Sequence, residues 1–157
     1  MNASSTTASL LNKLLQTNND RNLTYTKAAA DVSELDLKTI FLTLSDESKK
    51  NALELTRELM KLGAVVDAHA TSVAGRVYRT WINLKTFLTG RDRSTIIQSC
   101  KSGEVAVQNI YRDAISSNEL STEVRQLIRN QQLGLKSSVD LISNYAERSQ
   151  YGYAGSW

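Results

Sequence analysis

The stretch CKSGEVAVQNIYRDAI, residues 100–115, decides how the chain folds. Cys100, Val107, Ile110, Tyr111 and Ala114 recur three or four residues apart, the spacing of one face of a helix. Glu104 shares that face. A carboxylate among core positions needs a partner, because a buried unpaired charge costs several kcal/mol or gives up its ionisation. The stretch therefore predicts a packed helix with one acid turned inward, and other helices to pack against it.

The rest of the chain supplies them. A first helix is expected over 8–32, with Leu11, Leu14, Leu15, Tyr25, Ala28, Ala29 and Val32 on one side, after a small, polar and frayed stretch 1–7. Ser33, with Asp36 three residues on, resembles a capping box with Asp in place of Glu. The second helix, 34–62, carries Leu37, Ile40, Phe41, Leu44, Leu55, Leu59 and Leu62, and Gly63 stops it. A longer connection, 64–92, contains an extra helix marked by Val73, Val77, Trp81, Leu84 and Leu88 and closed by Gly90. The third long helix spans 93–116, SSNEL makes a tight turn, and the fourth, 121–148, carries Val124, Leu127, Ile128, Leu135, Leu141, Ile142 and Tyr145. Residues 150–157 form an aromatic, glycine-rich tail that reads as flexible, with Tyr151, Tyr153 and Trp157 available for a contact. Two tight connections and one long one describe an all-α, ferritin-like four-helix bundle over 8–149. A short extra helix lies in the crossover between the second and third long helices.

Composition agrees. The 157 residues include no proline and seven glycines, enough for one domain with a real core. A single cysteine, Cys100, excludes a disulfide framework and, on its apolar face, reads as a small buried hydrophobe. The opening MNASSTTASLLNKLL lacks a basic leader and is not read as a signal peptide. No apolar run approaches the ~18 residues that span a bilayer. A cytoplasmic, bacterial-type protein is expected, with no membrane contact.

Each apolar stripe is interrupted near its midpoint: by Asn18 and Asn22 on the first helix, Ser48 and Asn51 on the second, Glu104 on the third and Gln131 on the fourth, with Ser138 one turn past Leu135. Midpoints of antiparallel helices share a height, so these residues are expected to meet in one polar core layer. Ferritin-like bundles hold two metal ions there, using carboxylates and Glu-x-x-His pairs. This chain has one histidine, His69, placed in the connection, and no Glu-x-x-His. The slots read Ser48 with Asn51, and Lys136 with Val139. Glu104 is the one candidate ligand, and amides and hydroxyls are weak neutral ligands for iron. No metal and no cofactor are expected. Hydrogen bonds to Glu104 from Asn18, Asn22, Asn51, Gln131 or Tyr25 are expected instead, at roughly 1.5–3 kcal/mol each.

RTWINLKTFLTGRD (79–92), followed by II..CKSGE.A....Y.DAI (96–115), is similar to a bacterial ferritin-like four-helix-bundle family whose domain is of unknown function. LN.LLQTN.D....Y.KAA.DV (11–32) and Q..GLK...D.I (131–142) share the resemblance, which covers 10–146. It implies the fold. It also implies that the position of Val139 is often His and that of Arg21 often Gly, so inherited iron chemistry loses its best ligand here.

Charge is uneven. Residues 71–101 hold six basic residues and one acid, more than the whole chain's net +3. Arg76, Arg79, Lys85, Arg91 and Arg93 form a candidate docking patch for an acidic partner or nucleic-acid phosphate, against the plainer reading of a solvated helix face. Trp81 reads as a plug between the extra helix and the bundle. No phosphate-cradling glycine loop appears, and a nucleophilic triad would have to draw on His69. The expected function is a non-catalytic structural or interaction module, dimeric and stress-associated. The alternatives are a metal-binding or iron-handling bundle with a reduced site around Glu104, and a nucleic-acid or acidic-partner binder acting through 71–101.

Overall fold

A computed structural model describes the backbone of residues 2–71 and 93–152, and side chains as far as 145. Within these residues the chain forms four helices and no strand: α1 (Ala3–Asp31), α2 (Leu35–Lys61), α3 (Arg93–Ile115) and α4 (Thr122–Gly152). The expected extra helix, Trp81, the patch residues Arg76, Arg79, Lys85 and Arg91, and residues 153–157 of the tail lie outside the described residues.

Local chemistry sets the helix ends. α1 starts at Ala3, so most of the stretch expected to fray is instead its first two turns. Asn2 caps them, its Oδ1 accepting from the Ser5 amide at 2.8 Å. The Ser33–Asp36 capping box does not form. Glu34 is the N-cap of α2 and makes no side-chain cap bond, while Asp36 accepts from the adjacent Leu37 amide and turns to Arg93. α2 ends as expected at Gly63, whose φ of +69° suits a residue without Cβ. Its amide donates to Met60 O and that of Ala64 to Leu59 O, the paired bonds of a Schellman end. In the α3–α4 turn the Ser121 hydroxyl accepts from the Val124 amide, and Arg125 reaches back to the carbonyls of Ile115 and Ser117. A guanidinium there satisfies carbonyls that α3 leaves open and complements its dipole.

The helices pack as a ring. α1 lies against α2 and α3, and α4 against the same two, so α1 and α4 are diagonal. Bonds between Asn18 and Asn51, Arg21 and Ser48, and Thr26 and Ser45 show α1 and α2 antiparallel. Thr7 donates to Glu119 O, so α1 begins where α3 ends. Arg93 pairs with Glu34 and Asp36, so α3 begins where α2 begins. Beyond Lys61 the chain is described as far as residue 71. Asn19 Nδ2, bonded to Ala68 O at 3.0 Å and Ala70 O at 2.8 Å, places it beside the middle of α1 by residue 70.

The core runs along the axis. Leu11, Leu14, Leu44, Leu55, Val107, Tyr111, Ile128 and Leu135 are all fully buried. Each such aliphatic side chain contributes roughly 1.5–3 kcal/mol by leaving water. Its four stripes keep a four-then-three spacing: 14, 18, 21, 25, 28 on α1; 41, 44, 48, 51, 55 on α2; 97, 100, 104, 107, 111, 114 on α3; and 128, 131, 135, 138, 142 on α4. That is the seam of a left-handed bundle.

Candidate functional site

The polar centre

The stripes bring polar groups together in two adjoining tiers. In the upper tier Arg21 and Glu104 are both 0 % exposed and face each other. Arg21 Nε donates to Glu104 Oε1 and Oε2 at 3.0 and 3.2 Å, and Nη2 lies 2.8 Å from Oε1. Tyr25 donates its hydroxyl to the same Oε1 at 2.7 Å. Nη1 donates to Ser48 Oγ at 2.9 Å and Leu44 O at 3.2 Å. Nη2 also approaches Glu47 Oε1 at 2.8 Å. These two Nη2 contacts are ion pairs without hydrogen-bond alignment, since Nη2 has no aligned acceptor. Ser138 donates to Glu47 Oε1 at 2.8 Å, bringing in α4. The guanidinium thus ties together all four helices.

One turn away, Tyr111 accepts from Asn18 Nδ2 at 2.8 Å and donates to Gln131 Oε1 at 2.6 Å. Asn51 Nδ2 donates to Asn18 Oδ1 at 3.2 Å. Gln131 Nε2 donates to Asn51 O and to Glu54 Oε1. Amides and a phenol close on one another in this tier, with a carboxylate only at its edge.

Several expected residues are therefore at the centre, but the partner of Glu104 is not one of the amides. Asn18, Asn51 and Gln131 satisfy each other and Tyr111; of the side chains expected on Glu104, Tyr25 reaches it. Asn22 is only half-buried and bonds Ser45 and Thr26 at the α1–α2 rim. Its neighbour Arg21 takes the core position, 100° round the helix. The signal was present: Arg21 continues the four-then-three spacing of Leu14, Asn18 and Tyr25. The spacing alone does not single it out, because arginine is almost never fully buried unless paired, and its pair lies 83 residues away.

Electrostatics follow the geometry. Burial alone would lower the pKa of Arg21, but the charges of Glu104, Tyr25 and Glu47 outweigh it, and the guanidinium is held more firmly protonated than usual. Burial, then the nearby Glu104 charge, raises the Tyr25 hydroxyl and the Cys100 thiol. Burial also raises Tyr111. Arg21 stacks its guanidinium carbon 5.5 Å from the centre of the Tyr25 ring, a contact that adds cation–π attraction.

A di-metal centre does not fit these residues. Both Glu104 oxygens already accept from Arg21, and a guanidinium occupies the space in front of them. Among the described residues, no three His, Cys, Asp or Glu side chains gather as a metal would need. His69 is exposed beside Asp67, whose carboxylate accepts its backbone amide. Val139, where a histidine was of interest, sits at the outer α3–α4 seam with Val105 and Lys136, whereas α4 meets the centre through Ser138. Of the basic patch, the described Arg93 is engaged by Glu34 and Asp36. The hydrogen bond from Arg93 holds the Asp36 carboxyl below its ordinary range.

Comparison with known proteins

A family model described as "Domain of unknown function (DUF2383)" matches residues 6–117. The chain belongs to the DUF2383 family. The match takes in α1, α2 and α3, and with them Arg21, Tyr25, Glu47, Ser48 and Glu104. Ser138 and Gln131 of α4 lie beyond the matched span of this DUF2383 chain. No curated protein matches the chain. Among the described residues, no helix is long and apolar enough to cross a membrane.

Proposed function

We propose that this DUF2383 protein is a non-catalytic, ferritin-like helical bundle that serves as a structural or interaction module, with an arginine standing where related bundles hold metal ions. The helix directions support the ferritin-like arrangement: α2 and α3 start at one end of the bundle, which requires a crossover between them. The single observation that carries the functional reading is the Arg21–Glu104 pair. The guanidinium supplies the positive charge that a metal would supply, accepts no further ligand and offers no redox step. Tyr25 and Ser48 complete its surroundings from the protein itself. A cytoplasmic setting, a stress-associated role and a dimeric state belong to the same proposal, as does a bacterial origin.

The test is metal stoichiometry. Protein purified without chelators, and protein incubated with Fe(II), Mn(II) or Zn(II) and desalted, should carry well under one-tenth of an ion per chain. An ion held near one per chain and lost in Glu104→Ala would replace this reading with that of an iron-handling bundle. Salt-dependent DNA binding abolished by charge reversal at Arg76, Arg79 and Arg91 would instead favour the basic crossover as the working surface.

A further inference from the structure

The outer face of α2 carries an apolar stripe that the described residues of the bundle leave exposed. Leu35, Leu42, Leu53 and Met60 are between 46 % and 79 % exposed. At 100° per residue they fall within 20° of one another, on the side of α2 away from Leu44, Leu55 and Leu59. Between them stand one acid and one base, Asp46 and Lys49, each well exposed. Read from either end, these six residues run apolar, apolar, charged, charged, apolar, apolar, with the signs of the two charges exchanged. Leu35 and Met60, Leu42 and Leu53, and Asp46 and Lys49 lie at equal distances from a point between residues 47 and 48.

From this pattern we infer that α2 pairs with α2 of a second copy of the chain, antiparallel, about a two-fold axis passing between residues 47 and 48. This deepens the proposed role as an interaction module and rests on it. A two-fold interface is isologous, so each contact occurs twice with the roles exchanged. In this register Leu35 lies opposite the second copy's Met60, and Leu42 opposite its Leu53. Next to the axis, Asp46 of each copy meets the level of Lys49 of the other, opposite charges on both sides. A parallel pairing would set each charge against its like at the same level. α2 has 27 residues and is about 40 Å long, so the stripe runs nearly its whole length. Eight large apolar side chains from two such helices flank these central charges on both sides, with Lys38 and Arg57 at the polar rim.

The register is tested by cross-linking. Leu42 and Leu53 of one copy are 11 residues apart, about 16 Å along the helix, so neither position meets its own counterpart across the axis. Under mild oxidation, a mixture of the Leu42→Cys and Leu53→Cys proteins should form a covalent dimer, and neither protein alone should. Cys100 is buried and stays out of the reaction. By light scattering the unmodified chain should have twice its 17.4 kDa mass, and Leu42→Glu with Leu53→Glu should halve that value while leaving the helical circular dichroism intact. Cross-linking of either single variant as readily as of the mixture would overturn the register. A 17.4 kDa particle at all concentrations would overturn the interface. Neither result touches the arginine-filled centre, which fails instead on bound metal.

Discussion

Replacing Arg21 by methionine keeps an unbranched stem as far as the position of Nε and removes the charged end. Glu104 then stays buried with Tyr25 as its one remaining donor among the contacts described above, because Arg21 supplied Nε to both carboxylate oxygens. Removing one partner of a buried ion pair costs about 3–5 kcal/mol, since the other charge is left uncompensated. In a chain of this length that lowers the thermal midpoint by roughly 6–20 °C. Glu104→Leu should cost about as much, because it strands the guanidinium. The informative protein is the double variant, Arg21→Met with Glu104→Leu. It removes both charges, and apolar replacement of a whole buried pair is often neutral. Ser48 Oγ and Leu44 O lose a donor and Tyr25 loses its acceptor, so a residual cost of about 2 kcal/mol is expected. The double variant should thus be more stable than either single one, with a coupling above ~3 kcal/mol. Urea denaturation followed by circular dichroism gives all four free energies, provided the slopes agree. Additive costs, or a loss under ~1 kcal/mol in Arg21→Met as for an exposed pair, would refute the reasoning.

Three further outcomes follow from the same contacts. Glu104→Gln should be tolerated better than Glu104→Leu by about 1–2 kcal/mol in the same denaturation experiment, because an amide oxygen still accepts from Arg21 or Tyr25. Tyr111→Phe should cost about 2 kcal/mol, since Asn18 loses an acceptor and Gln131 a donor in a buried tier; a cost near zero would mean that water or a side-chain flip replaces the hydroxyl. Stability should fall on the alkaline side. Cys100 and Tyr111 have folded pKa values raised above their ordinary 9.0 and 10.0, so the folded state holds protons that the unfolded state releases. Their contribution is complete below pH 9 and is lost as pH rises through and beyond that value. Thermal midpoints measured from pH 8 to 11 should therefore decline, and less steeply in Cys100→Ala.

Much of the architecture was open to sequence reasoning because a bundle stripe is a local signal. Leu37, Phe41, Leu44 and Leu55 announce α2 whatever surrounds it, and Gly63 ends it by its own conformational freedom. Interrupted stripes also pointed to a polar centre with Glu104 in it. What the pattern could not supply was the pairing. Asn22 and Arg21 differ by one position, and choosing between them depends on which side of α1 meets α3 rather than α2, a fact set by tertiary packing. Arg21 was not counted in the polar layer, although its long apolar stem lets it cross a core once a carboxylate waits at the far side. The start of α1 was misread for a similar reason. MNASSTT is polar, but Asn2 is a cap, and Thr7 finds a carbonyl in the α3–α4 turn.

The central claim is that a guanidinium holds Glu104 where a metal would otherwise be held. The most direct measurement is a crystal of the protein grown with Mn(II), with anomalous difference density calculated at the bundle centre. The account predicts continuous density from Arg21 to both Glu104 oxygens and no anomalous peak within about 3 Å of that carboxylate, the reach of a metal–oxygen bond with margin. A manganese peak coordinated by Glu104, with Arg21 swung aside, would contradict it.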